Sequence, residues 1–320
     1  KGLYLEELDA NKYPVDKSIH EWKVMCLDLA SGRVLWEQLC HSGVPAKPHH
    51  IKNTLASETP TTDGERIYAY FGNVGLYCFT LDGEPVWSMP FEAHDTNYGW
   101  GTSISPVVHD GKVYIVNDNE ESSYMLALDA KTGKELWRIP RDEKTNYSTP
   151  YIWETDERTA IVVSAIGYAR SYDLDGKQLW QIKGRSILAI PMPFERFGNL
   201  YLTSGHVAWG ENPMYVIRPG AEGDLSPSDE KGAELSPHLA WYQPKAGPYH
   251  PTPIIVGEQI YVLYDRGLMA SFDAKTGEPV YPRKRIPDGR AFTSSPWTYG
   301  DKIFCLNEDG VTFAIQTGPE

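Results

Sequence analysis

The chain has 320 residues, a formal net charge of −13, 41% hydrophobic and 23% charged residues, with 10 Trp and 20 Tyr. An acidic surface repels phosphate backbones, so nucleic-acid binding is excluded as a general role. No apolar run is long enough for a membrane-spanning helix, and the opening KGLYLEELDANKYP lacks the apolar stretch of a secretory signal.

In chain order, the first predicted elements are a pair of strands over 22–38, ending in the phrase CLDLASGRVLW (26–36). The phrase is an apolar strand, a tight Gly-containing turn and a short strand closing on Trp. It returns as FTLDGEPVW (79–87), ALDAKTGKELW (127–137), SYDLDGKQLW (171–180) and SFDAKTGEPVY (271–281). A degenerate copy runs from Tyr215 to Trp241, and a cut-off copy, AIQTG, spans 314–318. The closing aromatics Trp36, Trp87, Trp137, Trp180, Trp241 and Tyr281 are spaced by 51, 50, 43, 61 and 40 residues. That is the period of propeller blades, with one insertion.

Ahead of each copy stands a Thr-Pro or Ser-Pro step and two apolar runs joined by a polar turn, as in SISPVVHDGKVYIV and HPTPIIVGEQIYVL. The turns centre on Asp63-Gly64, Asp110-Gly111, Gly198-Asn199, Gly257-Glu258 and Gly300-Asp301, dipeptides that signal hairpins. Each unit therefore reads as a four-stranded antiparallel meander, A to D. Whole units are expected at 57–89, 102–139, 147–182, 188–243 and 250–285, with a two-strand set before them and a three-strand set (292–316) after. One such sheet cannot bury both faces, and stacking copies around an axis does so. The expected fold is an all-β propeller, with the closing aromatics docked between neighbouring blades. Segment 206–241 departs furthest from the repeat and reads as an expanded, mobile surface loop of the C–D region.

Cys26, Cys40, Cys78 and Cys305 form no CxxC pair, which leaves zinc and thioredoxin-type chemistry unsupported. Cys26, Cys78 and Cys305 sit in apolar strand patterns and read as buried free thiols. A Cys26–Cys40 disulfide stays open as an alternative.

In such a blade the D–A and B–C loops share one face, and loops on a rigid scaffold concentrate binding residues. That face is expected to carry His49, His50, Lys52, Asn53 and Glu58, then Tyr98 and Trp100. Asn117, Asp118 and Glu120 of NDNEE follow, then Tyr249 and His250, Asp265 and Arg266, and Glu308 of NEDG. A mixed aromatic and carboxylate rim suits a sugar, a peptide or a cation. The competing reading is that these side chains cap strand ends. NDNEE and NEDG offer oxygens of the kind calcium takes, without the full spacing of a calcium loop. His49 and His50 point to opposite sides of an extended chain, so a shared ion is not expected. There is no G-x-S-x-G, H-E-x-x-H or P-loop.

Ala127, Asp129, Thr132, Gly133 and Trp137 spell A-x-D-x-x-T-G-x-x-x-W, which resembles the tryptophan-docking motif of PQQ-like (quinoprotein-type) propeller repeats. Ser271, Asp273, Thr276, Gly277 and Tyr281 repeat it with two substitutions, and Asp28, Ser31, Gly32 and Trp36 repeat it in part. More narrowly, HIKNTLASETP (50–60), YAYFGNVGLYC (68–78), VNDNEES (116–122), LYDRG (263–267) and IFCLNEDG (303–310) resemble a family of secreted bacterial PQQ-like repeat proteins, similar to the lipoprotein of the outer-membrane barrel-assembly machinery.

The resemblance implies a single propeller domain over 1–320, truncated at both ends, with eight blades in the full-length protein. The alternative is that the partial ends close a ring of seven. It also implies a periplasmic or secreted location. The quinoprotein dehydrogenases add a pair of adjacent cysteines and a calcium-binding acid set; no Cys-Cys occurs here, so neither PQQ nor calcium is carried over and no cofactor is expected. Three functional readings follow. The favoured one is a non-catalytic binding or scaffold propeller whose loop-rich face takes a protein or carbohydrate ligand. The others are an enzyme acting on a carbohydrate-like substrate at that face and, less favoured, a PQQ-dependent dehydrogenase.

Overall fold

The computed structural model describes residues 15–184, 186, 188–205, 211–228 and 234–319. The chain forms two compact units, 1–149 and 150–320.

The first unit opens with the hairpin β1 (His20–Leu27) and β2 (Val34–Gly43). Two four-stranded meanders follow. One is β3 (Thr61–Thr62), β4 (Arg66–Phe71), β5 (Gly75–Thr80) and β6 (Pro85–Pro90). The other is β7 (Val107–His109), β8 (Lys112–Asn117), β9 (Tyr124–Asp129) and β10 (Glu135–Pro140). Each inner strand is covered on both faces, which is why β4 and β8 read as apolar runs rather than as alternations. Successive side chains of a strand point to opposite faces. Ala69 and Phe71 accordingly pack on Trp22 and Val24 of the first hairpin, while Tyr68 and Tyr70 pack on Val113, Ile115, Leu126 and Leu128 of the next sheet. Each such large apolar side chain contributes about 1.5–3 kcal/mol by burial.

The second unit holds β11 (Tyr151–Glu154), β12 (Thr159–Val163), β13 (Tyr168–Tyr172) and β14 (Gln178–Lys183) as its first meander. The next is β15 (Phe194–Arg196), β16 (Asn199–Thr203), β17 (Met214–Ile217) and β19 (Leu239–Gln243), with the short β18 (Gly223–Asp224) between the last two in sequence. The third is β20 (Ile254–Val256), β21 (Gln259–Tyr264), β22 (Leu268–Asp273) and β23 (Pro279–Arg285). A three-stranded sheet of β24 (Trp297–Tyr299), β25 (Lys302–Leu306) and β26 (Thr312–Gln316) completes the unit.

Trp36, Trp87 and Trp241 each lie on the C–D turn of the following sheet. Trp87 donates its indole N–H to the Ala130 carbonyl at 3.1 Å, and Trp241 donates to Ala274 at 3.0 Å. The motif glycine follows from that contact. A Cβ on Gly277 would stand 2.6 Å from the Trp241 ring, and its φ of +75° lies in the left-handed region that glycine alone enters freely. Gly133 meets Trp87, and Gly83 meets Trp36, in the same way. Trp180 is buried, and the turn it would face is replaced.

That replacement corrects the reading of 206–241. Its start falls before β17, in the B–C rather than the C–D connection, and residues 206–210 and 229–233 lie outside the described residues. The described start of the C–D insertion, 218–228, packs on the sheet rather than looping away from it: β18 pairs in parallel with β14, Trp180 opposite Gly223 and Gln181 opposite Asp224. Ala221 and Leu225 are fully buried beside Trp153 and Trp180. The parallel strand satisfies edge groups of β14 and fills space that a short turn would leave empty. The open disulfide alternative also closes. All four cysteines are free; Cys26 stands opposite Trp36 across the hairpin, well away from Cys40. Cys78 and Cys305 are buried as expected, whereas Cys26 is only half-buried.

Candidate functional site

In the first unit the loops after β2, β6 and β10 and the β8–β9 turn converge. Asn53 organises the first of them: its side-chain N–H donates to the carbonyls of Trp100 and Thr102, both at 3.0 Å. The His50 amide donates to the Trp100 carbonyl at 3.2 Å. These bonds assemble a half-buried aromatic cluster. His50 stands edge-on to Trp100 at 5.9 Å, and the rings of Tyr98 and Tyr147 lie 5.2 and 6.2 Å from Trp100. Tyr98 takes a φ of +54°, a strained conformation for a side chain of its size. The Trp100 indole N–H and His49 Nδ1 are buried without a hydrogen-bond partner.

The acidic residues expected on the rim turn inward. Glu58 is buried, accepting from the Gly72 amide at 3.2 Å and from the Thr102 hydroxyl. Desolvation outweighs these bonds and raises its pKa above the ordinary value. Asp118 accepts from Arg141 Nε at 2.8 Å and Nη2 at 2.9 Å, with both side chains wholly buried. The Asn117 amide donates to the Tyr70 and Tyr124 phenol oxygens at 3.3 Å. These three residues therefore lie inside the protein rather than on a contact face, because each has a partner in a neighbouring loop or strand.

Glu120 is half-buried and accepts from the Thr145 hydroxyl at 2.6 Å. Glu121 accepts from the Asp95 amide, faces His94 Nδ1 at 3.3 Å and pairs with Lys47. The Asp95 amide, then His94 and Lys47, hold its pKa down to about 2. Two small cavities lie here. One of about 30 Å³ touches Lys47, Asn53, Asn73 and Thr102, and one of about 10 Å³ touches Thr96, Asn117, Asp118 and Thr145. Both are of a size for water rather than for a metabolite.

The second unit carries the rest of the predicted set. His250 Nδ1 meets Asp265 Oδ2 in a short hydrogen bond, and the Asp265 Oδ1 also accepts the His250 amide at 3.3 Å. The Tyr249 ring packs on His250 at 3.8 Å, and burial raises the Tyr249 phenol well above its ordinary pKa. Arg266 and Glu308 are exposed. Asn307 accepts the amides of Asp309 and Val311, and Asp309 pairs with Arg290. The structure thus brings Glu58, Tyr98, Trp100, Asn117, Asp118 and Glu120 together in one unit, and His250 with Asp265 in the other. Arg141, Thr102, Thr145 and Tyr147, which complete the first cluster, are residues that sequence reasoning missed. Only their position just after a blade boundary marks them.

The oxygens of NDNEE are already engaged, Asp118 by Arg141, Glu120 by Thr145, and Asn119 Oδ1 by the amides of Glu121 and Ser122. Among the described residues no group of three or more His, Cys, Asp or Glu is placed to hold a metal.

Comparison with known proteins bears on the family and the fold. The family profile described as outer membrane protein assembly factor BamB matches residues 20–186. Among solved structures, BamB from Moraxella catarrhalis is similar at a TM-score of 0.56 and 13% identity, over 92% of this chain and 79% of that one. The computationally designed Ika8 protein is similar at 0.52 and 10% identity, over 80% and 70%. A quinohemoprotein alcohol dehydrogenase from Pseudomonas putida HK5 reaches 0.43 at 13% identity, over 89% and 67%. No curated protein sequence matches the chain. The fold is an all-β propeller of PQQ-like repeats.

Proposed function

Because this chain belongs to the outer membrane protein assembly factor BamB family, we propose that it is a non-catalytic binding scaffold of the bacterial envelope, periplasmic or secreted, working as a single propeller domain without a resident cofactor. Its loop face takes a protein ligand. The observation that carries the reading is the way the loop acids are engaged. Glu58, Asp118 and Glu120 are tied to Thr102, Arg141 and Thr145, which stiffens the loops and leaves the Tyr98–Trp100–His50 cluster as the contact surface. A rigid aromatic patch gives contact area at low entropic cost.

The test is a photo-crosslinker placed at Tyr98 in envelope-derived protein, with Trp100→Ala as the comparison. The reading expects one discrete adduct that Trp100→Ala abolishes. An adduct insensitive to Trp100→Ala, or clear turnover of a small substrate by the purified protein, sinks it.

One observation favours a second reading, an enzyme acting on a carbohydrate-like substrate. Asp265 anchors Nδ1 of His250, an arrangement that leaves Nε2 to take or give a proton. A glycoside panel assayed with wild type and His250→Ala decides this. Silence across the panel removes the reading.

A further inference from the structure

The chain carries 43 acidic and 30 basic residues, so a cation on its surface has carboxylates in excess to pair with. Four cations of the second unit are nonetheless left without one. Arg283 and Arg285 stand at alternate positions of β23, the outer strand of its sheet. Lys245 follows β19, and Arg266 lies in the β21–β22 turn. All four side chains are exposed, and among the described residues no carboxylate pairs with any of them. The nearby acids are placed otherwise. Asp265 is taken by His250 and Asp309 by Arg290. Asp288, exposed on the turn after β23, is joined to none of the four.

The two guanidinium groups are held in place without being neutralised. Arg283 Nη2 donates to the Lys245 carbonyl at 2.7 Å, and the group lies 4.1 Å over the Tyr264 ring. Arg285 Nη1 donates to the Arg266 carbonyl and to the Gly289 carbonyl at 3.4 Å. A guanidinium has five N–H donors, so most of each fork stays open. The carbonyls that hold Arg283 and Arg285 belong to Lys245 and Arg266, which brings those two cations to the same place. Basic residues and prolines also guard exposed sheet edges, and Pro279, Pro282 and Lys284 of β23 suit that role. Guarding needs only loose charge, whereas Arg283 and Arg285 are pinned.

We propose that this patch binds an extended acidic segment of a separate polypeptide, with Asp or Glu at alternate positions. Alternate residues of a strand share a face and stand about 7 Å apart. Carboxylates at alternate positions of an extended partner have the same spacing, so each meets one guanidinium in a two-pronged bond. Lys245 and Arg266 add attraction on either side. The narrowness of the patch favours a single segment over an anionic membrane. A membrane presents its charge over a wide area and meets the repulsion of a chain with net charge −13. The patch shares no residue with the aromatic cluster of the proposed function, and either can fail without the other.

The probe is a labelled synthetic octapeptide of alternating Glu and Thr, titrated into the intact chain by fluorescence anisotropy. Saturable binding is expected, weakening as salt is added. Arg283→Gln combined with Arg285→Gln weakens it by about tenfold or more. Arg283→Lys with Arg285→Lys also weakens it, since an ammonium keeps the charge but cannot form the fork. A peptide of the same composition with its Glu residues in one block binds less well than the alternating one. Absence of saturable binding, or equal binding by the double Gln variant, overturns the proposal. Equal binding of the blocked peptide does so too, because the patch then reads net charge alone. Vesicles of phosphatidylglycerol that displace the peptide assign the patch to a lipid headgroup and likewise overturn it. If the double Gln variant does not fold, the single variants and the peptide pair decide.

Discussion

Asp118 and Arg141 form a two-pronged ion pair with neither side chain exposed to water. The pair ties the β8–β9 turn to the chain that leaves β10. Its attraction is offset by the cost of taking both charges out of water, so its presence says little about net stability. Removing one partner is another matter, because the other charge is then left buried. Asp118→Ala is expected to cost roughly 3–5 kcal/mol, read by urea unfolding. The double change to Leu and Met should recover much of that loss. If Asp118→Ala unfolds at the wild-type midpoint, the burial of this pair is misjudged.

Trp241 and Gly277 offer a second test. Trp241→Phe keeps the ring but loses the bond to the Ala274 carbonyl, at a cost of about 1 kcal/mol. Gly277→Ala forces a Cβ toward the Trp241 ring at positive φ, at about 1–3 kcal/mol for backbone strain alone. The glycine change should therefore be the worse of the two in thermal melts. The reverse order would mean that the contact tolerates a methyl group.

Glu58 sets a pH dependence. Burial raises its folded-state pKa above the unfolded value of 4.5. The folded state therefore holds the proton more tightly than the unfolded chain. The stability this contributes is full below the unfolded value and is lost as pH rises through the folded one. Glu58→Gln should flatten that fall in melting temperature measured from pH 4.5 upward. An unchanged slope would show that Glu58 is not its source.

Glu121 acts in the opposite direction. The Asp95 amide, His94 and Lys47 hold its pKa at about 2 against an ordinary 4.5. Its contribution is present above 4.5 and lost as pH falls toward 2. Glu121→Gln should lower the melting temperature above pH 4.5 and thereby lessen the acid sensitivity of folding. A variant as acid-sensitive as wild type would count against this network.

Leu225 tests the fifth strand of the first sheet in the second unit. Its side chain is fully buried beside Trp180, and its amide donates to the Gln181 carbonyl at 2.9 Å. Leu225→Ala is expected to cost roughly 2–5 kcal/mol. Amide exchange along β14 should rise with it. Unchanged exchange there would show that β18 is dispensable.

The repeat was legible because its determinants are local. The Gly that lets a ring approach lies only a few residues from the strand it ends, and the Trp recurs at a blade's length. Hairpin dipeptides such as Asp63-Gly64 marked the A–B turns for the same reason. The buried positions of Glu58 and Asp118 were not legible, since a loop carboxylate looks alike in sequence whether it faces water or a guanidinium. Arg141 lies 23 residues from Asp118, and no period links them. The strand β18 was hidden for a different reason. It is a Gly-Asp pair whose pairing is parallel and whose partner β14 lies far back in the chain. Neither alternation nor a turn signal announces such a contact.

That backward contact gives the first and second sheets of the second unit an order of assembly. β11 to β14 can form a four-stranded meander from contiguous chain, yet the sheet gains its last strand only after the polypeptide has traversed β15, β16 and β17. Completion of an earlier blade thus waits on a later one. A ribosome-bound chain ending before Gly223 would hold this sheet with an open margin, and the closing of that margin is a long-range event on the slow side of the folding reaction.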